Sequence, residues 1–202
     1  EAIRDLPKVC KHVHLPLQSG SSRVLRAMRR RHTREEYLDL VRRVREAIPN
    51  TTLSTDIIVG FPGETREDFD NTLSLMETVQ YDSIFSFKYS TRPNTLASQR
   101  LPDDVPADEK TARIVGLQSL QREIQTRLHK RLIGTTHKVL VDHISRRRQA
   151  EVAGRTTGNT VVNFPLPEDD GRGAKDWIGR IVRVTIRRTG PYSVWGEVAD
   201  PG

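Results

Sequence analysis

Leu53-Ser54-Thr55-Asp56-Ile57-Ile58-Val59-Gly60-Phe61-Pro62-Gly63-Glu64 decides the fold of this 202-residue chain. Three consecutive branched apolar residues bounded by Gly and Pro have the composition of a strand covered on both faces, as in a parallel sheet flanked by helices. Thr65 then stands three residues before Asp68 as an N-cap with an acidic first turn, and Phe69, Leu73, Met76 and Val79 recur at helical spacing. The unit is strand, glycine loop, helix, and α/β folds meet their ligands at the carboxyl ends of strands. Gly60 and Gly63 either let backbone approach such a ligand or only shape the turn, and the residues alone leave both readings open.

Upstream, Lys11 to Gln18 (KHVHLPLQ) alternates, with Val13, Leu15 and Leu17 on one side and His12, His14, Pro16 and Gln18 on the other. The same alternation sets Ser54, Asp56 and Ile58 against Leu53, Thr55, Ile57 and Val59. Packed cores avoid unpartnered polar groups, so two strands with polar residues on one face predict a cavity wall of His12, His14, Gln18, Ser54 and Asp56. The plainer alternative makes His12 and His14 satisfied core or edge histidines.

The segment Gln18 to Ser22 ends that strand and opens a helix capped by Ser21 or Ser22, with Val24, Leu25 and Met28 facing inward. Arg23, Arg26, Arg29, Arg30, Arg31 and Arg34 put six arginines in twelve residues, a density suited to phosphate. A solvated helix face has the same composition. Thr33 and Glu36 form a capping box, and Tyr37, Val41, Val44 and Ile48 give the next helix its apolar stripe. Ser83 to Tyr89 (SIFSFKY) is the third strand, with Phe85, Phe87 and Tyr89 on one face and Ser86 and Lys88 on the other. Strands joined by helical crossovers predict a right-handed parallel sheet, open or part of a barrel. Three strands are too few to stand alone, so more of the sheet is expected upstream of Glu1.

Arg92, in the loop after the third strand, is placed at the ligand mouth. An acidic joint from Pro102 to Pro106 leads to a helix marked by Ile114, Leu117, Leu120, Ile124 and Leu128, ending near Gly134 and strapped across the first domain. From about Arg131 the pattern changes to five short β-rich runs, THKVLVDHI, AEVAGRT, TVVNF, GRIVRVTIRR and YSVWGEV, the signature of a small barrel. In the fourth run Val182, Val184 and Ile186 point in, and Arg183, Thr185 and Arg187 point out. With Arg146, Arg147, Arg148, Arg155 and Arg188 they make a basic surface of the kind that binds RNA.

Composition agrees with a polyanion partner. The net charge is +7, and residues 1–50 hold twelve Lys or Arg against six acids, whereas residues 51–105 hold four against nine. No run reaches the roughly 18 apolar residues of a membrane span, and the opening EAIRDLPKVC is not a secretion signal, so a soluble intracellular chain is expected. Cys10 is the sole cysteine, which excludes an internal disulfide and any CxxC metal site within these residues.

Several segments in series resemble the radical S-adenosylmethionine methylthiotransferases, specifically the MiaB type that modifies tRNA. They are HLPLQSGS at 14–21, VLRAMRRRHTREEY at 24–37, STDIIVGFPGET at 54–65, YSTRP at 89–93, LQREI at 120–124, GRT at 154–156 and VVNF at 161–164. The resemblance implies an α/β fold followed by an all-β one. Residues 1–105 would be the carboxyl-terminal half of a partial (β/α)6 radical S-adenosylmethionine barrel, 106–130 a connecting helix, and 131–200 a small five-stranded TRAM-type barrel. It further implies S-adenosylmethionine and two 4Fe-4S clusters in the intact enzyme, with the cluster ligands outside this chain, which alone would be inactive. Reductive cleavage of S-adenosylmethionine would start a radical reaction that inserts a methylthio group at C2 of N6-isopentenyladenosine at position 37 of tRNA.

Matched onto the family pattern, Gln18 and Ser19 fall where such barrels meet the ribose, and Ile58 with Gly60 where they meet adenine. Asp56 is a candidate for a ribose hydroxyl or the substrate base, and Arg30 and Arg92 for carboxylate or RNA phosphate. Arg155, Arg183 and Arg187 are the RNA candidates of the barrel. The implied partners are the tRNA anticodon stem-loop and an electron-donor protein, and the implied setting is a cytoplasmic monomer away from membranes. Alternatives are a methylthiotransferase acting on another tRNA adenosine or on a ribosomal protein, a non-catalytic RNA-binding module, and a phosphate enzyme built on the glycine loop.

Overall fold

In the computed structural model, residues 1–145, 151–166 and 173–199 are described; Arg146, Arg147 and Arg148 lie outside them. The chain divides into two compact units, Val13–Ile124, and Glu1–His12 together with Gln125–Gly202.

The first unit carries a three-stranded sheet in the order β1-β2-β3, formed by β1 (His12–His14), β2 (Thr52–Val59) and β3 (Ser83–Lys88). β1 is much shorter than the predicted strand over 11–18. Pro16 has no N–H to donate, so the ladder breaks there. Leu17 N–H instead donates to Thr55 Oγ1 at 2.8 Å, and backbone pairing resumes where Gln18 N–H reaches Asp56 O and Ile58 N–H reaches Gln18 O. β2 and β3 run parallel, with Asp56 opposite Phe85 and Ile58 opposite Phe87.

After the four-residue α1 (Ala2–Asp5) and then β1, the crossovers are α2 (Ser22–Ala27), α3 (Arg34–Ala47) and α4 (Arg66–Val79). Each starts as its sequence dictates: Ser21 caps α2, and Thr33 with Glu36 and Thr65 with Asp68 close reciprocal capping boxes on α3 and α4. Leu17, Leu25, Leu53, Ile57, Val59, Leu75, Met76 and Tyr81 are fully buried in this unit. Tyr37 donates to the Leu15 carbonyl, and Tyr81 donates to the Tyr37 hydroxyl, so both buried phenols are satisfied.

The short α5 (Leu96–Arg100) precedes α6 (Ala107–Lys130). Within the first unit α6 straps onto the sheet as expected: Gln121 donates to Tyr81 O, Gln118 to Ser86 Oγ, and Leu117 and Ile124 are buried.

The second unit is a closed five-stranded barrel in the order β4-β5-β6-β8-β7. Its strands are β4 (Thr136–Ile144), β5 (Glu151–Thr156), β6 (Val161–Pro165), β7 (Ile181–Thr189) and β8 (Val194–Val198), with a 3-10 turn at Ala174–Trp177. All five predicted runs are strands. Val139, Val141, Val152, Val162, Phe164, Trp177, Val184, Ile186 and Val194 fill the interior, so the inward pattern of the fourth run holds. Gly154 and Gly196 sit where any Cβ would strike the neighbouring strand's backbone, at Leu140 and Thr185.

Candidate functional site

One face of the sheet packs on the helices; the other carries the polar residues that the alternation predicted. His14 Nδ1 lies 2.9 Å from Ser54 Oγ, and its Nε2 lies 3.5 Å from Asp56 Oδ2. Phe85 presents its ring edge-on to His14 at 6.0 Å. Toward the carboxyl ends of the strands, Gln18, Asp56 and Ile58 line a cavity of about 440 Å³ with Phe61, Phe87 and Tyr89, and Arg30 and Arg92 border it. A second cavity of about 440 Å³ shares Gln18, Arg30, Ile58 and Phe61, and adds Met28, Arg29, Leu96 and Arg100. The two form one groove with an apolar wall, one carboxylate, one amide and several guanidinium groups. An amphipathic, partly anionic small molecule suits that lining.

Of the predicted wall, His14, Gln18, Ser54 and Asp56 come together. Only Gln18 and Asp56 of that wall line the groove; His12, half-buried at the start of β1, His14 and Ser54 do not. Ser19 is fully buried, accepts from Ser21 N–H, and stays out of the groove as well. Among the described residues Arg30 and Arg92 reach the groove together, from α2's trailing turn and from the loop after β3. Phe61 and Tyr89 were not predicted as lining, although their position at strand carboxyl ends was the signal that could have found them. They meet edge to face at 5.1 Å, and Lys110 lies over the Tyr89 ring.

The glycine loop is turned inward. Gly60 takes a left-handed φ of 71°, and a Cβ there would collide with the Lys110 stem. Its N–H donates to Glu64 Oε2 at 2.5 Å, and Gly63 N–H donates to Asp104 Oδ1 at 2.7 Å. Both loop amides are therefore committed to carboxylates, which would repel a phosphate, and the phosphate-loop reading loses its basis. What the glycine at 60 accommodates is the close passage of α6. Glu64 is itself buried against Arg113, at 2.6 Å, and Arg113 also donates to the Glu64 carbonyl and pairs with Glu109. Burial pushes the Glu64 carboxyl up, against the opposing pull of Gly60 N–H and Arg113.

The arginine-dense segment divides on inspection. Arg23 pairs with Asp68 and donates to Gly63 O, and Arg34 donates to the carbonyls of Gly20 and Asn71. These two are structural, which corrects the reading of the whole segment as phosphate-directed. Asp68 is a buried hub that also accepts from Ser21 and from Thr65 N–H and Oγ1. Burial raises its carboxyl, but Arg23, Ser21 and Thr65 outweigh it and hold the group well below the usual range.

On the barrel, Arg187 is paired with Glu197 at 2.9 Å, and Arg155 donates to Asn159 Oδ1 at 2.9 Å with Asp142 at 3.5 Å. Arg188 stacks over Trp195 at 4.1 Å. Arg183 is exposed on the outer face of β7. Among the described residues no cluster of three or more His, Cys, Asp or Glu is arranged to hold a metal, and Cys10 is exposed and free.

Residues 1–76 match the radical SAM superfamily model, and residues 130–199 match the TRAM domain model. The chain is 47% identical over 95% of its length to a tRNA-2-methylthio-N(6)-dimethylallyladenosine synthase of Solibacter usitatus. It is 46% identical over 98% of its length to the protein of that name in Geotalea uraniireducens. It covers 42% and 43% of those relatives, and so spans about two fifths of their length. The solved coproporphyrinogen III oxidase of Escherichia coli aligns with 73% of this chain and 41% of its own at 19% identity, with a TM-score of 0.48, too slight a likeness to carry weight.

Proposed function

We propose that this chain, which carries a radical S-adenosylmethionine segment followed by a TRAM barrel, is part of a tRNA methylthiotransferase that adds a methylthio group to C2 of N6-isopentenyladenosine at position 37. The observation that carries the reading is the 46–47% identity, over nearly the whole chain, to synthases named for that product. Radical S-adenosylmethionine proteins use that cofactor with an iron–sulfur cluster. The residues present do not fit a cluster, since Cys10 is the sole cysteine and, among the described residues, no group of three or more His, Cys, Asp or Glu could hold a metal.

They do fit S-adenosylmethionine. The groove offers an apolar wall for an adenine at Ile58 and Phe61, a carboxylate for ribose hydroxyls at Asp56, the Gln18 amide, and cations for a carboxylate at Arg30 and Arg92. When bound, the cofactor supplies radical initiation and a methyl group. This chain's share is positioning. His14, 2.9 Å from Ser54 Oγ, stands 3.5 Å from the Asp56 carboxylate; Ile58 and Phe61 would give the base a flat apolar contact. Ser19 and Gly60 would act from behind the wall, by setting the backbone that presents Gln18 and Phe61. Two clusters, an electron-donor protein and a cytoplasmic monomer complete the proposal; among the described residues no helix is long and apolar enough to cross a membrane.

Isothermal titration of S-adenosylmethionine into the protein and into Asp56→Ala tests the placement. Binding at least tenfold weaker in the variant, with an unchanged thermal midpoint, is expected. Equal affinity would remove Asp56 from the site.

A further inference from the structure

We propose that the outer face of β5-β4-β7 is the RNA-docking face of the barrel, with Lys138 and Arg183 holding phosphate and Leu140 and Ile181 receiving the face of a base or ribose. The inference rests on the RNA reading above and adds the surface and the residues.

The register makes the arrangement. Lys138 stands directly opposite Arg183 across the β4-β7 ladder, and two residues along the same strands Leu140 stands opposite Ile181. On the other flank Leu140 is opposite Arg155 of β5. Between these outward positions Val139 and Val141 on β4, and Val184 on β7, are buried, so all five side chains emerge on one side. The result is a cationic pair beside an apolar pair, about 7 Å apart by the strand rise, with a third guanidinium at the edge.

Two features are costly unless something covers this face. Like charges directly opposite one another on a sheet destabilise it. Among the described residues neither Lys138 nor Arg183 has an ion-pair or hydrogen-bond partner for its side chain, unlike Arg155 and Arg187, which have Asn159, Asp142 and Glu197. Beside them Ile181 is 68% exposed and Leu140 47%, and Ile178 adds a further 46%-exposed aliphatic residue at the turn entering β7. A polyanion with flat apolar faces matches both features at once, because phosphate neutralises the repelling pair while base or ribose covers the aliphatic pair. A protein surface could cover the apolar residues but would have to bring carboxylates in register with the cations. Charge complementarity favours RNA.

The test measures binding of an unmodified tRNA transcript to the protein across 50–300 mM salt, for the unsubstituted protein, Lys138→Gln/Arg183→Gln, Ile181→Ser, and, as the control, Arg42→Gln at an α3 arginine paired with Asp39 and Glu46. The double variant should bind several-fold to tenfold more weakly and reduce the slope of log affinity against log salt by about 1.4, two contacts at roughly 0.7 each. Ile181→Ser should weaken binding with the slope unchanged, and Arg42→Gln should do neither. A double variant with the affinity and slope of the unsubstituted protein would overturn the proposal while leaving the RNA reading intact. Failure of the unsubstituted protein itself to bind would instead overturn the RNA reading. Thermal melts of all variants, expected within a few degrees of one another, exclude unfolding as the cause.

Discussion

Arginine does opposite work in the two units. In the α/β unit Arg23, Arg34 and Arg113 are consumed by the fold, each tied to a buried carboxylate or to backbone carbonyls tens of residues away. On the barrel, Arg183 is exposed beside Lys138, and its side chain has no partner among the described residues. Arginine density along a sequence therefore does not by itself point to phosphate binding. The composition of residues 23–34 pointed to phosphate, yet two of its arginines hold loops together.

The sharpest way to break this contrast is Arg113→Met. It strands Glu64 as a buried charge, already pushed up by burial, and should cost about 3–5 kcal/mol by denaturant unfolding. Loss below about 1 kcal/mol would mean that the clamp between α6 and the glycine loop is ornamental. Gly60→Ala should cost somewhat less, at least about 1–2 kcal/mol, because it combines a left-handed φ with a clash against Lys110. Next comes a pH effect with a definite sign. Asp68 has a depressed folded value, so its contribution is complete above the unfolded value of about 4 and is lost as pH falls below it. Asp82 is pushed up to about 6 by burial, so folding takes up its proton and stability rises as pH drops from about 6 to about 4. Asp68→Asn should flatten the acid limb, and Asp82→Asn should abolish the rise between pH 6 and 4, both read from unfolding midpoints against pH. Smallest of all, Lys138→Gln should leave stability unchanged or raise it by a few tenths of a kcal/mol, since it relieves a like-charge pair. The same loss of positive charge is thus expected to be severe in one unit and harmless in the other.

Local chemistry was legible in the sequence. The capping boxes at Thr33 and Thr65 need only residues three apart, and the barrel strands follow from alternation and turn residues. The polar wall was legible too, because strand periodicity alone puts His14, Ser54 and Asp56 on one face. What the sequence hid were partners separated by long stretches of chain. Arg23 meets Asp68 across 45 residues and Arg113 meets Glu64 across 49. Gly60 looked free to greet a ligand until α6, some fifty residues later, filled the space. Ser19 was placed at the ribose by motif position, yet it is buried behind the wall. Likewise nothing in KVLVD or RIVRV declares that Lys138 and Arg183 share a rung, since register is a property of two strands and of neither alone.

The proposed role in tRNA methylthiolation can be tested in cells. Mass spectrometry of nucleosides from total tRNA, in cells lacking the protein, addresses it most directly. The 2-methylthio form of N6-isopentenyladenosine should disappear while N6-isopentenyladenosine accumulates in its place. An undiminished level of the methylthio nucleoside would contradict it.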